Sequence, residues 1–254
     1  MALRALIFDV DGTLADTERD GHRVAFNSAF AESGLDWFWD EPTYAELLQV
    51  AGGVERLVHY ARTYRAMTQP ESELQSLVDE LHARKTRHYV ECVERGVVQL
   101  RPGVARLVAE ARAEGLQLAI ATTTTRANVT ALLHATLGRD AVSWFAAIGT
   151  AQEVSAKKPD PAVYQYVLAR LQLRPEQALA LEDSRNGLLA ATRAGLACIV
   201  TPTLYSAHED FTEALMQLAD LNHHPDKPGE SVMLADLRRW QSGAIARAAE
   251  ISAH

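Results

Sequence analysis

The chain has 254 residues, 48% of them apolar and 23% charged, with 25 Lys and Arg against 33 Asp and Glu for a net charge of −8. That length can bury a sizeable core and suits one domain carrying an insertion. The acidic balance argues against a nucleic-acid partner, whose phosphates call for a basic face, and leaves small phosphorylated ligands open.

The N-terminus carries no cleavable leader pattern, because Asp9 ends the first apolar run, and no stretch is long enough to span a membrane. A cytoplasmic protein without a membrane partner is expected. Residues 3–8 read as a short buried strand stopped by turn chemistry at Asp11-Gly12. A long helical interval follows, over 19–33, 44–50, 54–64 and 72–94, and residues 16–95 read as a helical cap inserted after the first strand. Trp37-Phe38-Trp39 lies in a loop of this insert and reads as a local packing cluster.

Further strands are expected at 116–121, 145–149, 178–181 and 197–200, alternating with helices at 103–114, 160–171 and 184–194. Gly115 and Gly195 supply stops, and Asp160-Pro161 supplies an N-cap followed by a proline at the first helical position. This alternation implies an α/β fold: a Rossmann-like parallel sheet with helices on both faces, built from 1–15 and 96–222. Residues 223–254 read as a linker and a terminal helix over 232–249, with His223-His224 solvated. Cys92 and Cys198 are too few for a disulfide framework or a zinc quartet and read as buried, reduced thiols.

The chemistry gathers at strand ends. Asp9 and Asp11 close the first strand, and period-two geometry sends both the same way. The strand ending in Leu181 delivers Glu182 and Asp183 to the same sheet edge, where open α/β sheets bind ligands. Two carboxylates about 4 Å apart repel by about 4 kcal/mol at an effective dielectric of about 20. Four such groups call for a hard divalent cation with oxygen ligands, Mg²⁺ above others. The hydroxyls of Thr122 to Thr125 and the cations Lys157-Lys158, beside Pro159, add what a phosphate group needs.

Asp9-Val10-Asp11-Gly12-Thr13, Ala121-Thr122-Thr123, Lys158-Pro159-Asp160-Pro161 and Glu182-Asp183-Ser184 together resemble, in order, the four motifs of haloacid-dehalogenase-type phosphatases. The resemblance covers residue 1 to about residue 220, and the insert matches that family's helical cap. It implies Asp9 as nucleophile and Asp11 as general acid and base. It implies that Thr122 and Lys158 bind the phosphoryl group, with Thr123 beside them. It implies a Mg²⁺ site made by Asp9, the backbone carbonyl of Asp11, Asp183 and Glu182, the last acting directly or through water.

Within the family, Leu35-Asp36-Trp37-Phe38-Trp39-Asp40 and Lys85-Thr86-Arg87-His88-Tyr89 resemble the CbbY-type sugar-bisphosphate phosphatases of autotrophic bacteria. That likeness implies hydrolysis of xylulose-1,5-bisphosphate, an inhibitory by-product of Rubisco, to xylulose-5-phosphate. Arg56, in Gly52-Gly53-Val54-Glu55-Arg56, and Lys85 would then meet the second phosphate, with Glu18 at the cleft between cap and core. Arg56 reads equally well as a solvated helix residue. Val54 stands where this cap loop usually has a lysine, and Thr17 to His22 is one residue longer than the family pattern. Phosphoglycolate hydrolysis, a β-phosphoglucomutase-type transfer and a non-catalytic phosphosugar sensor are the alternative readings. A small phosphorylated sugar acting on a monomer is the expected partnership.

Overall fold

A computed structural model describes residues 2–252, with side chains through residue 246. After β1 (Ala5–Phe8) come four helices, α1 (Arg23–Glu32), α2 (Glu41–Leu47), α3 (Gly53–Thr63) and α4 (Glu71–Glu94). Then α5 (Val104–Ala113), β2 (Gln117–Ala121), α6 (Arg126–Leu137) and β3 (Phe145–Gly149) follow. The chain continues through α7 (Ala162–Leu171), β4 (Ala178–Glu182), α8 (Arg185–Arg193), β5 (Ala197–Val200), β6 (Met216–Gln217) and α9 (Leu234–Ser252). The strands run parallel in the spatial order β3-β2-β1-β4-β5-β6. This is the expected α/β fold. Two elements have no counterpart in the sequence reading. The helix α6 begins at Thr125, whose side chain caps Asn128 N–H, and the edge strand β6 is too short to show a pattern.

Strand residues alternate between two cores because successive side chains leave opposite faces. Leu6, Phe8, Leu118, Ile120, Leu179, Leu181 and Ile199 pack on α5, α6 and α9. Ala5, Ile7, Ala119, Ala121, Ala178, Ala180 and Val200 pack on α7 and α8. The alanines keep this second face thin and let its helices lie close to the backbone. A third cluster belongs to the inserted helices: Phe26, Phe30, Trp37, Trp39, Tyr44 and Tyr60.

Trp39 is fully buried and meets Phe30 edge-on, with ring centroids 5.0 Å apart. Asn27 clasps the Trp39 backbone, donating to its carbonyl at 2.9 Å and accepting from its N–H at 2.7 Å. Phe38, between the two buried tryptophans, is 66% exposed. Both cysteines are free and buried. His223 is exposed and paired with Asp220, but His224 is not the solvated residue its sequence context suggests. It is buried beside Asp236 and Trp240, where the terminal helix folds back on the core. Among the described residues, no helix is long and apolar enough to cross a membrane.

Candidate active site

The sheet order reverses beside β1, so the chain ends of β1 and β4 open a crevice at their carboxyl edge. Asp9 follows β1, and its N–H donates to the Leu181 carbonyl at 3.0 Å. Glu182 and Asp183 end the neighbouring strand. One carboxylate oxygen from each of Asp9, Glu182 and Asp183 lies within 4.8 Å of the others, and all three residues are buried. Lys158 reaches in from the loop before α7. Its Nζ donates to Asp9 Oδ1 and to Glu182 Oε1, both at 2.6 Å.

One ammonium does not balance three buried carboxylates. Burial, only partly countered by Lys158, raises Asp9 to about 7. Burial and the charges of Asp9 and Glu182 raise Asp183 well above the usual carboxylate range. Glu182 Oε2 is buried with no hydrogen-bond partner. An orphaned acceptor in an over-charged pocket of hard oxygen donors fits a divalent cation. The backbone is shaped for the same arrangement. Gly12 has φ +85°, and a Cβ there would stand 2.2 Å from Asp183 Oδ2.

Asp11 takes a different direction. The strand ends at Phe8, so period-two geometry no longer governs, and the Asp11 carboxylate turns to the inserted helices. Its Oδ1 accepts from Thr17 Oγ1 at 2.7 Å and lies 2.8 Å from His22 Nε2. It stands outside the group of carboxylates fit for a metal. Burial alone would raise Asp11, but His22, Thr17 and Lys85 outweigh it and hold the carboxyl well below its ordinary range. Lys85 Nζ is 2.9 Å from His22 Nδ1. The ammonium donates to Nδ1, so the ring proton sits on Nε2 and is donated to Asp11.

Thr17 leads into a π-helical turn, Glu18–His22, a wider turn that accommodates one more residue than an α-helical one. Gly21 makes the wide turn fit, because a Cβ there would lie 3.1 Å from both Tyr89 and Val98.

Glu18 and Arg56 face the same cleft. Tyr44 donates its hydroxyl to Glu18 Oε2 and accepts from Arg56 NH1 at 3.1 Å. Arg56 is not a solvated helix residue: it is 7% exposed and also donates to the carbonyls of Leu47 and Val50. Lys85 is likewise buried, its Nζ lying 4.9 Å from the centroid of the Phe26 ring. Arg84, Arg87 and His88, on the same helix, stay at the surface paired with Glu32.

Two adjoining cavities of about 130 and 150 Å³ hold the cleft. Asp9, Asp183 and Lys158 line the first, His22 and Lys85 the second, and Asp11, Glu18, Arg56 and Thr123 line both. Thr122 sits behind this wall, buried, with its hydroxyl accepting from Thr124 N–H at 3.2 Å. A larger cleft of about 960 Å³ lies beside Val97, Arg101 and Leu204 and contains none of the acidic cluster. Tyr44 and Tyr164, which hold Glu18 and Glu182, were not legible as site residues, since both sit at apolar helix positions.

The family profile of haloacid dehalogenase-like hydrolases matches residues 3–195. The chain belongs to that family. As a haloacid dehalogenase-like hydrolase it is 52% identical over 258 residues to protein CbbY (plasmid) of Cupriavidus necator, covering 97% of this chain and 100% of that one. It is 47% identical over 222 residues to protein CbbY of Rhodobacter capsulatus, covering 87% and 95%. The solved structure of CbbY from Rhodobacter sphaeroides in complex with phosphate superposes with a TM-score of 0.80 at 45% identity, covering 86% of this chain and 94% of that one. An Asp-to-Asn mutant of the same protein, in complex with xylulose-1,5-bisphosphate, superposes at 0.79 with 44% identity and the same coverage.

Proposed function

We propose that this hydrolase removes one phosphate from xylulose-1,5-bisphosphate by way of an aspartyl-phosphate and so disposes of a Rubisco inhibitor. The observation that carries the reading is the pairing of two charged ends across one cleft. Asp9, Asp183 and Lys158 stand on the core side, and the buried cations Arg56 and Lys85 on the cap side. A bisphosphate has two anionic ends: the cap-side cations match one, and the core end would match the other with Mg²⁺ held by its carboxylates. The CbbY relative solved with xylulose-1,5-bisphosphate supports the choice of sugar.

In this reading Asp9 attacks phosphorus with the carboxylate oxygen that Lys158 does not hold. Lys158 keeps that side chain in line and spreads positive charge toward the equatorial oxygens. Thr123 belongs to the wall that receives the phosphoryl group, and Thr122 supports it from behind. Asp11 gives a proton to the departing sugar oxygen and later takes one from the attacking water. It begins ionised, held by His22 and Thr17; the incoming phosphate dianion raises its proton affinity by like-charge repulsion, and the carboxylate takes up a proton from solvent before passing it to the sugar oxygen. Asp9, Asp183, Glu182 and the carbonyl of Asp11 would hold Mg²⁺, which supplies neutralisation of the acidic cluster and of the phosphoryl oxygens when bound. Glu18, Arg56 and Lys85 bind and orient the sugar and its second phosphate. The protein acts as a cytoplasmic monomer.

Phosphate release from xylulose-1,5-bisphosphate with MgCl₂, compared with phosphoglycolate and hexose phosphates, tests the reading. Turnover of the bisphosphate is expected to be at least tenfold faster, and Asp9→Asn to abolish it. A preference for phosphoglycolate overturns the substrate, and no release from any of these esters overturns the reaction.

A further inference from the structure

Tyr164 is a buried hydroxyl that the proposed chemistry leaves without a task. It lies on α7, fully buried in the thin, alanine-lined core face. Phenylalanine would fill the same space, so packing does not explain the hydroxyl. That group donates to Glu182 Oε1 at 2.5 Å. The same oxygen accepts from Lys158 at 2.6 Å, and the Lys158 Nζ stands 5.3 Å from the Tyr164 ring centroid. Glu182 Oε1 therefore carries two donors while Oε2 carries none. On its far side the carboxylate rests on Gly187, where a Cβ would fall 1.9 Å from Oε2.

We propose that Tyr164 is a positioning residue for the acidic cluster: its hydroxyl fixes the Glu182 carboxylate with Oε1 spoken for and Oε2 free. The proposal rests on the phosphatase reading above and deepens it. A second consequence concerns Lys158. One ammonium serves both Asp9 and Glu182. A neutral donor on Glu182 satisfies part of that carboxylate's demand, so Lys158 is not drawn away from Asp9. Tyr164 lines neither cavity of the cleft. It acts on the reaction through Glu182 and Lys158, not on the substrate.

The test is Tyr164→Phe, which keeps the ring and removes one oxygen. Calorimetric titration of the metal-free protein with MgCl₂ should show affinity weakened about tenfold, the usual scale for a group that orients a ligand. With xylulose-1,5-bisphosphate, kcat should fall about tenfold while KM changes less than twofold. On a Glu182→Ala background, which removes the oxygen that accepts from Tyr164, the same substitution should add little. Unchanged Mg²⁺ affinity and kcat in Tyr164→Phe overturn the proposal. So does an equal further loss in the double variant, which would show an action independent of Glu182. If the wild type releases phosphate and Tyr164→Phe matches it, only the positioning role falls. If the wild type neither binds Mg²⁺ nor releases phosphate, the phosphatase reading falls and takes this role with it.

Discussion

His22 donates from Nε2 to Asp11 Oδ1 at 2.8 Å, and the turn that delivers it is π-helical rather than α-helical. The inserted helices thereby hold the Asp11 carboxylate, the proposed proton-transfer group, from outside the core. Replacing His22 with alanine removes the donor and leaves Asp11 held by Thr17 alone. The expected outcome is a drop in kcat of roughly 10- to 100-fold, less than the roughly 100- to 10,000-fold that an acid–base group itself contributes, because Asp11 remains in place. KM should move much less, and steady-state kinetics on xylulose-1,5-bisphosphate separate the two. An unchanged kcat would remove His22 from the mechanism.

Gly12 shapes the acidic cluster by what it lacks. Its φ of +85° suits glycine, and a Cβ would collide with the Asp183 carboxylate. Gly12→Ala should cost about 1–3 kcal/mol in stability from the strained backbone alone. It should also displace Asp183 and reduce Mg²⁺-dependent phosphate release by more than tenfold. Urea unfolding measures the first effect and a phosphate-release assay the second. Full activity in this variant would show that Asp183 need not stand where it does.

Lys85 gives the cleft a pH dependence. Burial disfavours its ammonium and lowers it to about 8, even with Asp11 and Glu18 pulling the other way. Below about pH 8 the side chain is charged and attracts an anionic ligand; above it, the charge is lost. KM for the bisphosphate should therefore rise as pH passes 8. Lys85→Met should show a high KM at every pH, with that inflection gone. A wild-type KM flat from pH 7 to 9 would contradict this role.

The cap's aromatic cluster makes a prediction about stability. Trp39 is fully buried among Phe26, Phe30, Tyr44 and Tyr60. Trp39→Ala should cost about 3–5 kcal/mol, as large-to-small changes in cores do. Phe38, in the same sequence triplet, is exposed, and Phe38→Ala should stay within about 0.5 kcal/mol. Denaturant unfolding of the two variants distinguishes them. Equal losses would mean that the cluster does not hold the loop.

Strand identity, the parallel sheet and the motif residues at its carboxyl edge were legible in the sequence, because apolar runs, N-caps and glycine stops are local signals. Ser184 caps its helix as its type requires, accepting from Gly187 N–H, whereas α7 starts one residue later than its Asp160-Pro161 signal suggests: Pro161 takes the N-cap position and Asp160 accepts from Ala162 N–H just ahead of it. Helix α6 escaped that reading although Thr125 caps it, because the threonine run before it was read for phosphate chemistry.

Only the tertiary structure decided which charged residues are buried and what they face. Lys158 meets Asp9 across 149 positions of chain, and Lys85 meets His22 across 63. Arg56 and Lys85 carry charges typical of a solvated face, yet neighbouring elements enclose them. Asp11 turns away from Asp9 because the strand has already ended, and a π turn returns His22 to it. Residue type and spacing settle how a segment folds; enclosure and side-chain direction depend on elements distant in sequence, and those set the proton affinities and the cation balance of the cleft.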